Sequence, residues 1–199
     1  MPELPEVETT LRGIQAHVLG QVVSGIVVRQ PKLRYPVAPE LDQRLVGQTV
    51  QNLQRRGKYL LLGMNHGTLI VHLGMSGSLR ILPGASPPGA HDHVDILFAN
   101  RMLRYRDPRR FGLMLWTEDD PDHHPLLAEL GVEPLDPAFD GPWLYRASRD
   151  RSTPIKLFLM DSHRIVGVGN IYASESLFRA RIHPATPSGN LGPRRCARP

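Results

Sequence analysis

The residues best suited to covalent chemistry stand at the start of the chain: Met1-Pro2-Glu3-Leu4-Pro5-Glu6-Val7-Glu8. Removal of Met1 leaves Pro2 with a free secondary amine. An α-amino group has a reference pKa of about 7.7–8.0, so an appreciable fraction is neutral and nucleophilic at pH 7. Attack of a secondary amine on a sugar C1′ gives an iminium, an electron sink for later bond breaking. Glu3 beside it is placed to donate a proton to the opening ring. The same residues also suit the beginning of a helix, with proline near the start followed by Glu and Thr. The rest of the chain bears on the choice.

Further candidates follow in order. Lys58, in Arg56-Gly57-Lys58-Tyr59, opens a β-like run, either as a solvated surface lysine or as a second amine or phosphate-facing ammonium near Pro2. His72-Leu73-Gly74-Met75-Ser76-Gly77 puts Met75 between glycines on a turn, where an exposed flexible side chain can wedge between bases. Asp107-Pro108-Arg109-Arg110-Phe111-Gly112 follows Arg101, Arg104 and Arg106. Such a loop can bind phosphate through guanidinium and stack or wedge through Phe111. In a β-alternating run His91 and His93 face the same way, so one can meet a phosphate while the other packs. His91-Asp92-His93 and His123-His124 lack further ligands at a recognised spacing, which argues against a metal. Finally, Ile165-Val166-Gly167-Val168-Gly169-Asn170 is a backbone N–H cluster suited to phosphate, with Arg149, Arg151 and Lys156 nearby in sequence.

The elements that must hold these residues divide into two kinds. Residues 6–19 read as a helix with Val7, Leu11, Ile14 and Val18 on one face and Gly20 as its stop. Eight short β-like runs follow, over 22–29, 46–54, 58–64, 69–73, 78–82, 93–99, 102–106 and 111–117. This spacing favours an antiparallel sandwich or barrel. A short helical turn is expected over 125–130, then helices over 143–149, 154–160 and 170–180. The last is expected to be capped by Asn170, with Ile171, Ser174, Leu177 and Phe178 on one face. The fold class is therefore α+β. The expected organisation is a β-rich domain over 1–135, a partial helical domain over 136–184, and a disordered basic tail over 185–199.

Composition bounds the function. With 24 Lys plus Arg against 19 Asp plus Glu, the net charge is +5, which suits an anionic partner. The one cysteine, Cys196, excludes an internal disulfide and a four-cysteine zinc site. There is no basic-then-apolar leader and no apolar run near ~18 residues. The expectation is a soluble protein of the cytoplasm.

Taken together, PELPEVET, RGKYLLL, HLGMSGSLR, HDHVDILF, DPRRFG and GVGNIYASESLF, in this order, resemble the bacterial formamidopyrimidine-DNA glycosylases, the 8-oxoguanine DNA glycosylase/AP lyases of base-excision repair. The resemblance runs from Met1 to about Pro184. The related endonuclease VIII group fits less well, having Gly where this chain has Leu4. The resemblance implies an N-terminal helix and two-sheet β-sandwich followed by a helix-two-turn-helix domain, with damaged double-stranded DNA between them. It implies a monomer with no membrane partner, associated with the bacterial nucleoid. Pro2 is then the Schiff-base nucleophile and Glu3 the proton donor for base loss and ring opening. Lys58 is then the proton donor of β-elimination. Met75, Arg109 and Phe111 fill the hole left by the flipped base. His91, Arg109 and Arg151 contact DNA, and Lys156 and Asn170 grip phosphates.

The chain also departs from that family. Its members continue for several dozen residues and end in a four-cysteine zinc finger. Here Gly192-Pro193-Arg194-Arg195-Cys196-Ala197-Arg198-Pro199 stands where the family continues as helix. The expectation is a truncation or a change of reading frame near residue 191, with no metal or other cofactor in this chain. Its catalytic parts would be present and its DNA grip weakened. The alternative is a catalytically impaired DNA-binding remnant.

Overall fold

The computed structural model describes residues 2–197. The chain divides into two units, one ending at Ala128 and the other beginning at Glu129.

In the first unit, α1 runs Leu4–Val18 and buries Leu4, Val7, Leu11, Ile14 and Val18. These five apolar positions recur every three or four residues and form a single stripe. The helix starts two residues earlier than expected because Glu3 and Glu6 form a capping box and Pro5 sits in the first turn, where its missing N–H costs nothing. Gly20, at φ +73°, turns the chain away after the helix.

Eight strands follow: β1 (Gly25–Val28), β2 (Asn52–Arg56), β3 (Tyr59–Gly63), β4 (Thr68–His72), β5 (Ser78–Pro83), β6 (Asp92–Leu97), β7 (Arg101–Arg106) and β8 (Leu113–Thr117). They make two four-stranded antiparallel sheets, ordered β1-β6-β7-β5 and β2-β3-β4-β8. Val94, Ile96, Leu103 and Tyr105 of one sheet share a core with Leu60, Leu62, Leu69, Val71 and Met114 of the other, and α1 adds its stripe. Full burial of one such aliphatic side chain contributes about 1.5–3 kcal/mol. The expected strand over 46–54 is shorter at its start. Before it lies α2 (Leu41–Leu45), unread in the sequence because a five-residue helix offers only one apolar pair, Leu41 and Leu45. The short helical turn expected over 125–130 is a hydrogen-bonded turn over 125–129, the Leu127 and Ala128 amides donating to the His124 carbonyl at 2.8 and 2.9 Å, and it follows a 3-10 turn at Pro121–His123 capped by the Asp120 side chain.

The second unit contains α3 (Gly141–Ser148), α4 (Ile155–Met160), α5 (Asn170–Ala180), a 3-10 turn (Ser188–Asn190) and α6 (Pro193–Cys196). Its core joins Leu144, Ile155, Phe158, Leu159, Ile165, Ala173, Leu177, Ala180, Ile182, Leu191 and Cys196. The unit begins earlier than the expected break at 135, because residues 131–132 are pinned within it. The Gly131 and Val132 amides donate to the Ser162 and Arg164 carbonyls, both at 2.9 Å. A Cβ at Gly131 would strike the Arg164 backbone, so this approach requires glycine.

Two expectations are corrected. The face of α5 turned to the core is Ala173, Leu177 and Ala180, whereas Ile171 and Phe178 are 54% and 82% exposed. Its cap residue is Gly169, and Asn170 is the first helical residue. The tail expected to be disordered over 185–199 carries a 3-10 turn and a helix, with Leu191 and Cys196 buried. Proline there opens a helix at its first position instead of preventing one. The last two residues of that stretch, Arg198 and Pro199, lie outside the described residues.

Candidate functional site

Pro2 lies one residue before the helix cap, half-buried, and Glu3 is buried at the cap itself. The Glu3 amide donates to Glu6 Oε2 at 2.9 Å. The capping box thus fixes the backbone that presents Pro2. Met1 lies outside the described residues.

Lys58 occupies the tight turn between β2 and β3, after Gly57 at φ +57°. Arg55 holds this turn to α1. Its Nε donates to Glu8 Oε2 at 3.0 Å and its Nη1 to the Gly57 carbonyl at 2.9 Å. Glu8 is held below the ordinary carboxylate range by hydrogen bonds from Arg12 and Arg55. Burial pushes the Lys58 ammonium below its usual pKa, and the Glu3 and Glu6 carboxylates oppose that shift, so both lie within its electrostatic reach. Pro2, a buried carboxyl and a partly desolvated ammonium are therefore gathered at one end of α1. With Met1 removed, such a set would supply a nucleophile and move protons beside it.

A second constellation in the same unit joins two turns. Met75 is exposed on the turn after β4, and Arg109 and Phe111 are exposed on the loop between β7 and β8. The Arg109 guanidinium sits over the Phe111 ring, 4.7 Å from its centroid. Between the turns lies Asp107, fully buried. Its Oδ1 accepts from Ser76 Oγ at 2.7 Å and the Arg109 amide at 3.3 Å. Its Oδ2 accepts from the Gly112 amide at 2.9 Å and Tyr105 Oη at 3.2 Å. His72, at the end of β4, accepts from the Gly74 amide through Nδ1 at 2.9 Å. Burial, then the Arg34 and Lys58 charges, push its pKa down to about 4 against the pull of Asp107, so it is the neutral acceptor this bond needs.

His91 and His93 do not share a face. A register irregularity between Asp92 and Val94 interrupts the alternation. His91 is exposed ahead of β6, whereas His93 is buried and its Nε2 meets the Asp107 carbonyl at 2.8 Å. Beside them Arg104 is buried, donating to Asp95 at 2.8 Å through both Nε and Nη2, and to the Ser86 and Pro87 carbonyls. Of the arginines that precede the loop, Arg104 thus belongs to the interior.

Arg151, Lys156 and Asn170 belong to the second unit. Arg151 is exposed after α3, and its carbonyl accepts from the Gly189 amide at 2.9 Å. Lys156 lies in the first turn of α4, its amide bonded to the Pro184 carbonyl at 3.2 Å. Asn170 is exposed at the start of α5, after Gly167 at φ +80°. The helices α4 and α5 pack on each other.

Sequence reasoning passed over Ser76, Tyr105, Asp107 and Arg55. The Asp-Pro pair was a turn signal in plain view, but the number of hydrogen bonds converging on Asp107 depends on two loops meeting. No group of three or more His, Cys, Asp or Glu among the described residues is placed to hold a metal ion. The four-cysteine zinc finger of the resembled family does not fit these residues: Cys196 is the only cysteine, and it is buried against the Leu191 carbonyl. No helix among the described residues is long and apolar enough to cross a membrane.

Comparisons with known proteins agree across the chain. Residues 1–114 match the formamidopyrimidine-DNA glycosylase N-terminal domain, and residues 130–198 match the formamidopyrimidine-DNA glycosylase H2TH domain. The formamidopyrimidine-DNA glycosylase of Aromatoleum aromaticum is 59% identical over 198 residues, covering 100% of this chain and 73% of that protein. The protein of the same name from Geobacter sulfurreducens is 57% identical, covering 99% and 73%. Among solved structures, the complex of Lactococcus lactis Fpg with DNA containing an abasic site superposes with a TM-score of 0.90 at 32% identity, covering 98% of this chain and 72% of that one. A complex of a mutant of the same enzyme with Fapy-dG-containing DNA gives 0.91 at 33% identity, covering 98% and 73%.

Proposed function

Because the chain belongs to the formamidopyrimidine-DNA glycosylase family, and is thus a DNA glycosylase of base-excision repair, we propose that it removes oxidised purines from duplex DNA and cleaves the resulting abasic site through a Schiff base on Pro2. The substrates are 8-oxoguanine and formamidopyrimidines, and the enzyme acts as a monomer.

The neutral Pro2 nitrogen attacks C1′ of the damaged nucleotide. The N-glycosidic bond breaks and its electron pair leaves with the base, which takes up a proton. Glu3 protonates the ring oxygen as the sugar opens, leaving an iminium between Pro2 and C1′. The iminium acidifies C2′. Loss of a C2′ proton expels the 3′ phosphate, with Lys58 handling protons at this step. Water then releases the sugar fragment and regenerates the amine. A base inside a duplex is out of reach, so the nucleotide must first be turned out of the stack, at a cost of a few kcal/mol. Met75, Arg109 and Phe111 fill the space it leaves. His91, Arg109, Arg151, Lys156 and Asn170 hold the backbone through charge and hydrogen bonding.

The observation that carries this reading is the end of α1: Pro2 directly precedes a buried carboxyl, and Lys58 lies within the electrostatic reach of that carboxyl. The test turns the amine off and on. With residues fused ahead of Pro2 its nitrogen is a tertiary amide and has no lone pair for attack. Borohydride treatment with an abasic duplex is expected to trap no covalent adduct in that form. A proteolytic cut that leaves Pro2 first is expected to restore the adduct. Trapping that persists with the blocked terminus, or a purified protein that retains Met1 yet traps DNA, sinks the mechanism.

A further inference from the structure

We propose that Asp107 is a positioning residue for DNA recognition: its buried carboxylate staples the Met75 turn to the Arg109–Phe111 loop, so that the three side chains enter an emptied base stack as one preset wedge. The inference rests on the reading of those three residues given above and adds how they are held.

Asp107 is 0% exposed and its two oxygens accept four hydrogen bonds, so it touches no substrate. A buried carboxylate costs several kcal/mol unless it is compensated. Here the four donors come from three parts of the structure. Ser76 comes from the Met75 turn, the Arg109 and Gly112 amides from the loop, and Tyr105 from β7. Ser76 Oγ also accepts from the Arg109 amide at 3.2 Å, closing the connection between the two turns. Tyr105 is pushed well above the usual phenol range by burial, then by the charge of Asp107 and its hydrogen bond, so its hydroxyl is a permanent donor.

The backbones of the two turns lie in direct contact. A Cβ at Gly74 would strike the Gly112 amide and Phe111, and one at Gly112 would strike Tyr105 Oη and the His72 carbonyl. Arg110 holds φ +56°, a conformation that a non-glycine residue keeps only where its surroundings over-determine it. Its amide donates to the Asp107 carbonyl at 3.2 Å. A third segment joins through the Arg34 amide, bonded to the Gly112 carbonyl at 3.1 Å. The result is a rigid platform under exposed side chains, the arrangement expected where insertion into a stack must not be lost to loop entropy.

The test separates insertion from chemistry. A single-stranded abasic oligonucleotide has no stack to fill, so borohydride trapping on it reads the amine alone. Cleavage of an 8-oxoguanine duplex reads the amine and the wedge together. Asp107→Asn keeps the shape but presents an NH2 group to two of the four donors. It is expected to lower duplex cleavage on the order of 100-fold, the effect of a misplacement near 1 Å, while single-strand trapping stays at the wild-type rate. Ser76→Ala removes one hydroxyl and is expected to lower duplex cleavage about tenfold, as loss of one hydrogen bond to a buried charge would, again sparing the single strand. Ser76→Ala carries the test if Asp107→Asn does not fold. Duplex and single-strand rates that fall in parallel in Ser76→Ala, or an unchanged duplex rate in folded Asp107→Asn, overturn the inference while leaving the Pro2 reading intact. A wild-type chain that traps neither substrate overturns both.

Discussion

The first unit buries Glu3, Asp92, His93, Asp95, Arg104 and Asp107, whereas the polar residues buried in the described part of the second unit are two serines, Ser148 and Ser188. The first unit aims its loops with directional bonds from carboxylates and guanidinium to particular backbone groups. The second relies more on packing short helices around Phe158, Leu177 and Leu191, with the half-buried Arg149 donating to the Tyr145 and Leu191 carbonyls, and leaves Leu135, Ile171 and Phe178 exposed. Directional bonds specify where a side chain points. Apolar burial specifies only that surfaces are covered. The unit read as holding the chemistry is the one built with directional bonds, and the smaller unit has less core in reserve.

The sharpest way to test that contrast is to damage the second core. Phe158→Ala is expected to cost about 3–5 kcal/mol, comparable with the whole stability of a unit of this size. Hydrogen exchange should then show amides of α3 to α5 losing protection while α1 and the two sheets keep theirs. Simultaneous loss in both units would mean that they do not differ in reserve.

Next in size is the polar framework of the first unit. Asp95→Asn takes a full charge from Arg104, and from Arg29, which donates to Asp95 at 2.5 Å. Breaking a buried pair from one side costs about 3 kcal/mol or more. Urea unfolding followed through the sheets should register that loss. A change below about 1 kcal/mol, the worth of an exposed pair, would mean that these charges are not what stiffens the unit.

The smallest expected effect concerns acid. His72 has its pKa lowered to about 4 in the fold, against about 6.5 unfolded. A depressed pKa favours the folded state above the unfolded value, so this contribution is complete above about pH 6.5 and declines as pH falls toward 4. About 2 kcal/mol should be gone by pH 5. His72→Asn keeps an acceptor for the Gly74 amide and cannot titrate there, so its urea midpoint should vary less between pH 7 and pH 5. Equal slopes for the two proteins would remove His72 from the account.

Much of the fold was legible because local pattern and tertiary structure agreed. The α1 stripe is visible as helical spacing, and the eight strands as short Val/Ile/Leu-rich runs between turns. Where local pattern misled, packing had decided. On a helical wheel Ile171 and Phe178 stand about 120° and 100° from Leu177, whereas Ala173 and Ala180 stand about 40° and 60° from it, and it is the side carrying the two small alanines that the core covers. The prolines of the tail suggested disorder, yet Leu191 and Cys196 are buried in the core of the second unit. His91 and His93 were separated by an irregularity that no two-residue alternation foretells.

The order of residues alone determined which chemical groups this protein owns: one proline behind Met1, an acid beside it, a lysine after a glycine, and a methionine and a phenylalanine on turns rich in glycine and arginine. Those follow from residue type and neighbour, which are local properties. Tertiary structure alone decided which of the acids became internal fixtures. Asp107 and Ser76 are 31 residues apart and bond at 2.7 Å, and Glu8 and Arg55 are 47 apart and bond at 3.0 Å. Such pairings arise only when elements distant in sequence are packed against one another, because a hydrogen bond reaches no farther than its two atoms.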